Sequence, residues 1–312
     1  MKIYLAGERQ VASNTVARDV ESSGGQAPLW LKFTRRRLFS YYYHGMKHNQ
    51  VSKDVEASHE VLKLDLFLDS GAFTAFTKNK EIDIDRYGSF LQATKPMWKA
   101  TSSLDFIGRG DEAAKRSYNN FQHLIKQGHD VCPVFHVREP DSWLQRYIDE
   151  GWSYIFIGGM VPETTGWLQD RLDHLFDRLL CRRDGSPRVR THGFGLTTQA
   201  LMFRYPWFSV DSTSWLMTGI FGSCVFSTGQ GKLRKVDFSH QSGSLRKVDG
   251  WHYWNLSPRE KRVVDGWLSF FNITAEDCAK HYSYRDAVNA GTFQSLEEFG
   301  CEEFRRERQT LF

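Results

Sequence analysis

Short apolar runs rich in β-branched and aromatic side chains punctuate the chain, and amphipathic stretches with apolar positions three and four apart fill several of the gaps between them. The runs are Ile3–Ala6, Leu66–Asp69, Ser103–Ile107, Val131–His136, Tyr154–Gly158, Val189–Gly193, Trp207–Asp211 and Ser223–Ser227. Helical patterns cover Asp111–Gln127, Asp141–Glu150 and Thr165–Leu180. Eight strands with helices between them predict an α/β fold, a (β/α)8 TIM-like barrel; an open, doubly wound parallel sheet shares much of the same pattern. Two irregularities set the organisation. The long gap after the first run predicts an insertion at about residues 31–60. After Ser227 the chain turns to Gly229-Gln230-Gly231 and then to a near-repeat, Leu233-Arg-Lys-Val-Asp237 and Leu245-Arg-Lys-Val-Asp249. These two strings read as a basic hairpin around Ser239–Ser244, although five-residue duplications also arise by chance. From Ser257 the pattern is helical, over Pro258–Phe271, Ala275–His281 and Leu296–Arg308. The expected division is a barrel over 1–228 and a hairpin with a helical C-terminal appendage over 229–312, packed on the barrel.

Composition narrows the class. With 312 residues, 40% apolar and 25% charged, the chain has ample sequence to bury a core and is neither disordered nor collagen-like. Mean hydropathy is −0.50, and no window approaches the roughly 18 apolar residues of a membrane span. The N-terminal MKIYLAGERQ lacks the apolar stretch of a secretory signal, so a cytoplasmic location is expected. Five cysteines carry no CxC or CxxC pair, which points to reduced, mostly buried thiols and no cysteine-rich zinc site.

The net charge of +4 is unevenly spread. Between Leu31 and Lys53 stand Lys32, Arg35, Arg36, Arg37, Lys47 and Lys53 with no acid, interleaved with Phe33, Phe39, Tyr41, Tyr42, Tyr43, His44 and His48. A second cationic stretch, Lys232–Arg262, includes Arg234, Lys235, Arg246 and Lys247. Cations that meet phosphates and aromatics that stack on bases suit a nucleic acid, and a solvated basic loop over an apolar anchor would read the same way.

In a barrel of this kind chemistry sits where strands end, and those ends are acidic here. Asp69-Ser70-Gly71 ends the second run, Asp105 lies in the third, His136 ends the fourth, Gly158-Gly159-Met160 the fifth, His192-Gly193 the sixth and Asp211 the seventh. Aspartate and histidine could hold a divalent cation, but there is no HExxH, and the glycines favour close approach of a flat ligand. Separated carboxylates suit a different division of labour: one attacks carbon, one moves the leaving group's proton and one reads N–H donors. Each aspartate taken singly could equally cap the helix that follows it.

Taken in order, Asp69-Ser-Gly-Ala-Phe73, Gly158-Gly159-Met160, Thr191-His-Gly-Phe-Gly195 and Ser209-Val-Asp-Ser-Thr213 resemble the queuine and archaeosine tRNA-guanine transglycosylases. The resemblance covers about Leu64–Phe226. It is closer to the phage and bacterial relatives that insert 7-deazaguanines into DNA, whose strings are similar to LDSGAFTAF and Pro133-Val-Phe-His136 here. It implies a TIM-like barrel and a glycosyltransferase of the pentosyltransferase kind that replaces guanine, with the 7-cyano base as the expected substrate. By the same resemblance Asp211 is the nucleophile on the sugar C1′ and Asp69 the general acid or base. Asp105 reads the Watson–Crick edge, and His136 stands where the tRNA enzymes usually carry a glutamine. Gly158 and Gly159 face the base carbonyl or 7-substituent, with Ser70 and Met160 beside the base, and Phe73 and His192 hold the two sandwiching positions. Expelling guanine needs a protonated Asp69, so a raised pKa is expected from nearby Asp211 and partial burial.

The chain departs from the tRNA enzymes in lacking a CxCxxC-plus-histidine zinc site, since Cys278 and Cys301 stand alone after Cys224. That moves the expected substrate from tRNA to DNA, with Arg35, Arg36, Arg37, Lys232, Arg234, Lys235, Arg246 and Lys247 gripping the backbone. The expected partners are DNA and a free 7-deazaguanine base, with no membrane, metal or other cofactor, and homo-oligomerisation is left open. The target guanine must leave the stack, and Tyr41–Tyr43 would either fill its place or pack the insertion onto the barrel. Two alternatives stand beside this reading: the same chemistry on tRNA, and a non-catalytic nucleic-acid-binding barrel.

Overall fold

The computed structural model describes residues 1–7, 34–46, 63–196, 198–228, 232–246 and 251–298, with Arg246 as backbone only. Most of the expected insertion, Lys247, the end of the second near-repeat, Cys301 and the helical pattern beyond Glu298 lie outside the described residues. Among the described residues the chain divides into two compact units, one holding Met1–Ala6 and Arg36–Ser212 and the other Gly7, Thr34, Arg35 and the residues from Thr213 to Glu298. The expected boundary at residue 228 therefore falls at Ser212.

The first unit is built on eight parallel strands: β1 (Lys2–Ala6), β2 (Arg36–Ser40), β3 (Asp65–Asp69), β4 (Ala100–Thr101), β5 (Val134–His136), β6 (Tyr154–Gly158), β7 (Arg190–Gly193) and β8 (Ser209–Ser212). Their order is β4-β3-β2-β1-β8-β7-β6-β5, so strands consecutive in sequence are neighbours and β1 lies between β2 and β8. An isolated parallel bridge joins Ser102, just after β4, to Cys132, just before β5, where Ser103 N donates to Cys132 O (2.9 Å) and Cys132 N donates to Thr101 O (2.8 Å). Helices α1 (Ala72–Thr77), α2 (Ile84–Thr94), α3 (Gly110–Lys126), α4 (Asp141–Asp149), α5 (Thr165–Leu175) and α6 (Gln199–Arg204) occupy the connections. The fold is an α/β fold with a curled eight-stranded parallel sheet, consistent with a TIM-like barrel.

Two expectations are corrected. The eighth strand is Arg36–Ser40, inside the stretch expected to be an insertion, and not Ser223–Ser227. Its Leu38 and Phe39 are buried, and this apolar centre outweighs the flanking arginines. The strand expected at Ser103–Ile107 is instead the two-residue β4, and Asp105 stands in the loop after it.

Side chains alternate across a strand, so one face of the sheet gathers Tyr4, Ala6, Leu38, Phe67, Val134 and Phe156 into a buried cluster joined by Ala100, Cys132, Tyr154 and Phe194. Two residues further along the same strands, that face carries Asp69, His136 and Gly158. The site is thus the next layer of the same interior, at the ends where the strands finish.

The second unit contains α7 (Ser214–Ile220), an antiparallel pair β9 (Ser223–Ser227) and β10 (Leu233–Asp237), and helices α8 (Pro258–Phe270), α9 (Ala275–Lys280) and α10 (Tyr282–Ser295). The hairpin therefore joins Leu233–Asp237 to Ser223–Ser227, not to the second near-repeat, whose start lies in a 3₁₀ turn, Gly243–Arg246. Its core joins Cys224, Phe226, Val236 and Phe238 to Val264, Leu268, Cys278 and Val288. Cys278, expected to stand alone, has its Sγ 3.7 Å from that of Cys224.

Helix α10 has no apolar stripe, because its buried positions include Arg285, Asp286 and Asn289 as well as Ala287 and Val288. Asn289 accepts from Val225 N (2.7 Å) and donates to Trp215 O (3.0 Å) and Ser223 O (3.2 Å). Replacing Asn289 by leucine leaves three buried backbone groups without this partner, and a loss of about 3 kcal/mol or more is expected in urea unfolding.

Candidate active site

Five carboxyl or imidazole side chains at the strand ends of the first unit or in the loop just after one, Asp69, Asp105, His136, His192 and Asp211, are joined by hydrogen bonds and close electrostatics. Asp69 closes β3, and Gly71 N donates to its Oδ2 (3.0 Å). Gly71 has φ 77, a left-handed conformation, and a Cβ there would collide with Ser40 Oγ and lie 2.6 Å from Tyr42 Cβ. Only glycine allows the chain to turn from Asp69 into α1 at this spacing. Burial pushes the Asp69 carboxyl up to about 8, and the negative charges of Asp105 and then Asp211 push the same way against the Gly71 and Ser70 N–H donors. The raised value matches the sequence expectation, with Asp105 a larger contributor than Asp211.

Asp105 is held at both oxygens. Ser70 Oγ donates to Oδ1 (3.0 Å), and His136 Nε2 lies 2.9 Å from Oδ2. Ser70 is itself fixed by its backbone N donating to Ser102 Oγ (2.8 Å), while the Tyr87 hydroxyl donates to Ser102 O (2.7 Å). Each carboxylate oxygen accepts more than one hydrogen bond, so these contacts aim Asp105 and leave it lone pairs for a ligand's donors.

Glycine is needed at 158 because of His136. A Cβ on Gly158 would stand 2.9 Å from His136 Cδ2, and one on Gly159 would stand 3.0 Å from His136 Cβ. The bare backbone of Gly158 admits the His136 ring, and that of Gly159 the His136 Cβ. Met160 is buried.

Asp211 sits on β8 in register with Tyr4 of β1. Gly195 N donates to its Oδ1 (2.9 Å), and His192 Nε2 lies 3.2 Å from the same oxygen. His192 Nδ1 lies 2.6 Å from Ser209 Oγ, which lies 2.5 Å from the Tyr154 hydroxyl. Burial raises the Tyr154 pKa, and with Asp211 Oδ1 accepting from Nε2–H of a neutral ring, Ser209 Oγ gives its proton to Nδ1 and accepts from the Tyr154 hydroxyl. Burial lowers the His192 pKa against the pull of Asp211, in keeping with a neutral ring carrying that single proton. Both N–H groups meet Oδ1, and Oδ2 remains the oxygen that can act on carbon.

His192 corrects its expected role. It is fully buried, its ring stacked on Phe67 at 4.5 Å between centroids, with Phe156 and Phe194 around it. A ring so enclosed offers no face to a base; it orients Asp211. Phe73 is half exposed on the first turn of α1. Phe194, partly exposed, lies 3.6 Å from where a Cβ on Gly158 would stand.

Sequence reasoning missed Ser209, Tyr154, Phe194 and Glu139. Ser209 was recoverable, because it precedes Asp211 by two on one strand face and is in register with His192.

The expected backbone-gripping residues separate. Arg36 pairs with Asp65 (3.3 Å), and Arg37 is buried with its guanidinium over the Phe39 ring (4.5 Å), because both belong to β2 and not to a surface loop. Arg35, Lys232, Arg234 and Lys235 are exposed, with Arg234 over the Trp251 ring (3.1 Å). Tyr41 and Tyr42 are buried and Tyr43 is exposed. No group of three or more histidine, cysteine, aspartate or glutamate side chains among the described residues could hold a metal ion, and no described helix is long and apolar enough to cross a membrane. No family model matches the chain, and no curated protein matches it.

Proposed function

We propose that the first unit is a closed (β/α)8 TIM-like barrel and that the chain is a DNA-guanine transglycosylase, exchanging guanine for a 7-deazaguanine, with the 7-cyano base as the expected substrate. The observation that carries this reading is Asp69, a carboxyl favouring its protonated form at neutral pH under the charges of two further aspartates, Asp105 and Asp211. Such a trio matches a reaction in which a base departs as an anion and an oxygen nucleophile takes its place.

In the first half, Asp211 Oδ2 attacks C1′, the C1′–N9 bond breaks and its electron pair leaves with guanine, which takes the Asp69 proton. A glycosyl ester on Asp211 holds the DNA. In the second half the ionised Asp69 takes the N9 proton of the incoming base, N9 attacks C1′, and the ester bond breaks to restore Asp211. No proton or electron pair is gained or lost over the cycle. Asp105, aimed by Ser70 and His136, accepts from N1–H and the exocyclic amine of either base. The target nucleotide leaves the stack to reach this site. The exposed Arg35, Lys232, Arg234 and Lys235 are the candidate phosphate contacts.

The test is loss of label from radiolabelled guanine in duplex DNA, or in tRNA, on incubation with a 7-deazaguanine base. Release from DNA supports the reading. Release from tRNA alone moves the substrate, and tight DNA binding with no release from either marks a non-catalytic barrel.

His192 supplies a second expectation. His192→Ala removes one donor to Asp211 and opens a cavity among Phe67, Phe156 and Phe194, so stability should fall by about 2–4 kcal/mol. The loosened nucleophile should slow exchange roughly 10²-fold. Thermal unfolding and single-turnover label release measure the two effects separately.

A further inference from the structure

Glu139 is a buried carboxyl that the chemistry above does not use. It lies in the turn after β5, closed by Glu139 N donating to His136 O (2.8 Å), and its side chain is 1% exposed. Neither carboxyl oxygen has a hydrogen-bond partner of full geometry, and the His136 backbone N–H is the donor that acts on the carboxyl. Arg171 crosses the same turn but spends its donors elsewhere: Nε donates to Val137 O (2.7 Å) and Nη2 to Glu139 O (3.1 Å) and Asp141 Oδ1 (2.7 Å). The charged group facing the Glu139 carboxyl is His136, whose Nδ1 is 3.8 Å from Oε1. The opposite nitrogen of that ring is the one on Asp105. An unpaired buried carboxyl is costly, and its position is explained by what it does to the ring beside it.

We infer that Glu139 is a positioning residue for base recognition: facing His136 Nδ1, it adds to Asp105 in favouring the doubly protonated imidazole, whose Nε2–H donates to Asp105 Oδ2 and aims that carboxylate at the donor edge of the base. The inference rests on the transglycosylase reading for what Asp105 binds, and on geometry alone for the row Glu139, His136, Asp105. Burial pushes His136 down, but the hydrogen bond and charge of Asp105, with the charge of Glu139, outweigh it and leave the ring raised. Burial pushes Glu139 up to about 7, partly offset by His136, so the row responds to pH near neutrality. Other groups coupled to it are Tyr147, which feels the Glu139 charge, and Asp69 and Tyr87, which feel that of Asp105.

The test uses the full chain in two arms. In ¹⁵N NMR without ligand, the wild-type His136 titration midpoint is expected above 6.5, the ring's ordinary value, and in Glu139→Gln it should drop by about one pH unit. In exchange assays Glu139→Gln should raise KM for the incoming base about tenfold and leave kcat within about threefold, with Glu139→Asp recovering part of the loss. An unmoved midpoint, or a fall in kcat with KM unchanged, overturns the proposal. If Glu139→Gln does not fold, Glu139→Asp carries the same test, a lowered His136 midpoint supporting the inference and an unmoved one overturning it. If the midpoint shifts as stated but the wild type exchanges no base, the transglycosylase reading fails while the Glu139–His136 coupling stands.

Discussion

Asp211→Ala and Asp211→Asn should abolish base exchange, with any residual rate at least about 10⁴-fold below wild type. The size follows from the role: without a carboxylate oxygen at C1′ there is no covalent intermediate, and neither substitute provides a nucleophile. The geometry separates this effect from unfolding. Asp211 is a terminus of the Tyr154–Ser209–His192 chain and not its support, since the ring stays packed against Phe67 whatever stands at 211. Asparagine keeps an acceptor for Gly195 N and His192 Nε2, so Asp211→Asn should fold with near wild-type stability. The check is denaturing electrophoresis of protein incubated with DNA, in which a slow-migrating adduct forms with wild type and is absent from both variants.

Asp69→Asn should lose exchange by roughly 10²- to 10⁴-fold and gain stability at alkaline pH. The folded carboxyl titrates at about 8 against an ordinary 3.8. Between those values the unfolded chain has released a proton that the folded chain still holds, so stability falls as pH rises from about 4 to about 8 and is flat outside that window. Four pH units of displaced titration, reduced for the group's partial solvent access, amount to a few kcal/mol. Asparagine is neutral throughout and removes the penalty. The variant's unfolding midpoint should therefore exceed that of wild type at pH 8 and approach it at pH 4. In wild type, kcat/KM for DNA should decline above about pH 8, as the acid that protonates departing guanine ionises. A midpoint difference independent of pH would show that Asp69 titrates normally.

How much of this was legible in the sequence depends on how local each signal is. The strands β1, β3, β6, β7 and β8 carry their own apolar pattern and lie close to where that pattern puts them. β2 and β9 exchanged identities because strand pattern reveals a strand and not its partner: Arg36–Ser40 looked charged, Ser223–Ser227 looked apolar, and only pairing shows which enters the parallel sheet. β4 is too short to carry a pattern, and α10, buried with polar residues among its core positions, carries none of the helical period.

The acidic residues of the site were legible because they occupy strand ends or the loop just after one. What they bond to was not. Ser209, Tyr154 and Glu139 reach the site through neighbouring strands and a turn, contacts that arise only when the sheet has its register. His192 was assigned to the wrong task for the same reason, since a histidine at a strand end looks alike whether its faces are open or covered by Phe67.

The central claim is that guanine in DNA is exchanged at C1′, and nucleoside mass analysis of DNA from cells expressing this chain with a source of 7-deazaguanine tests it most directly. A 7-deazaguanine deoxynucleoside is expected with wild type and none with Asp211→Ala. Unmodified DNA alongside expressed, folded wild-type protein, or the modified nucleoside in tRNA alone, would contradict it.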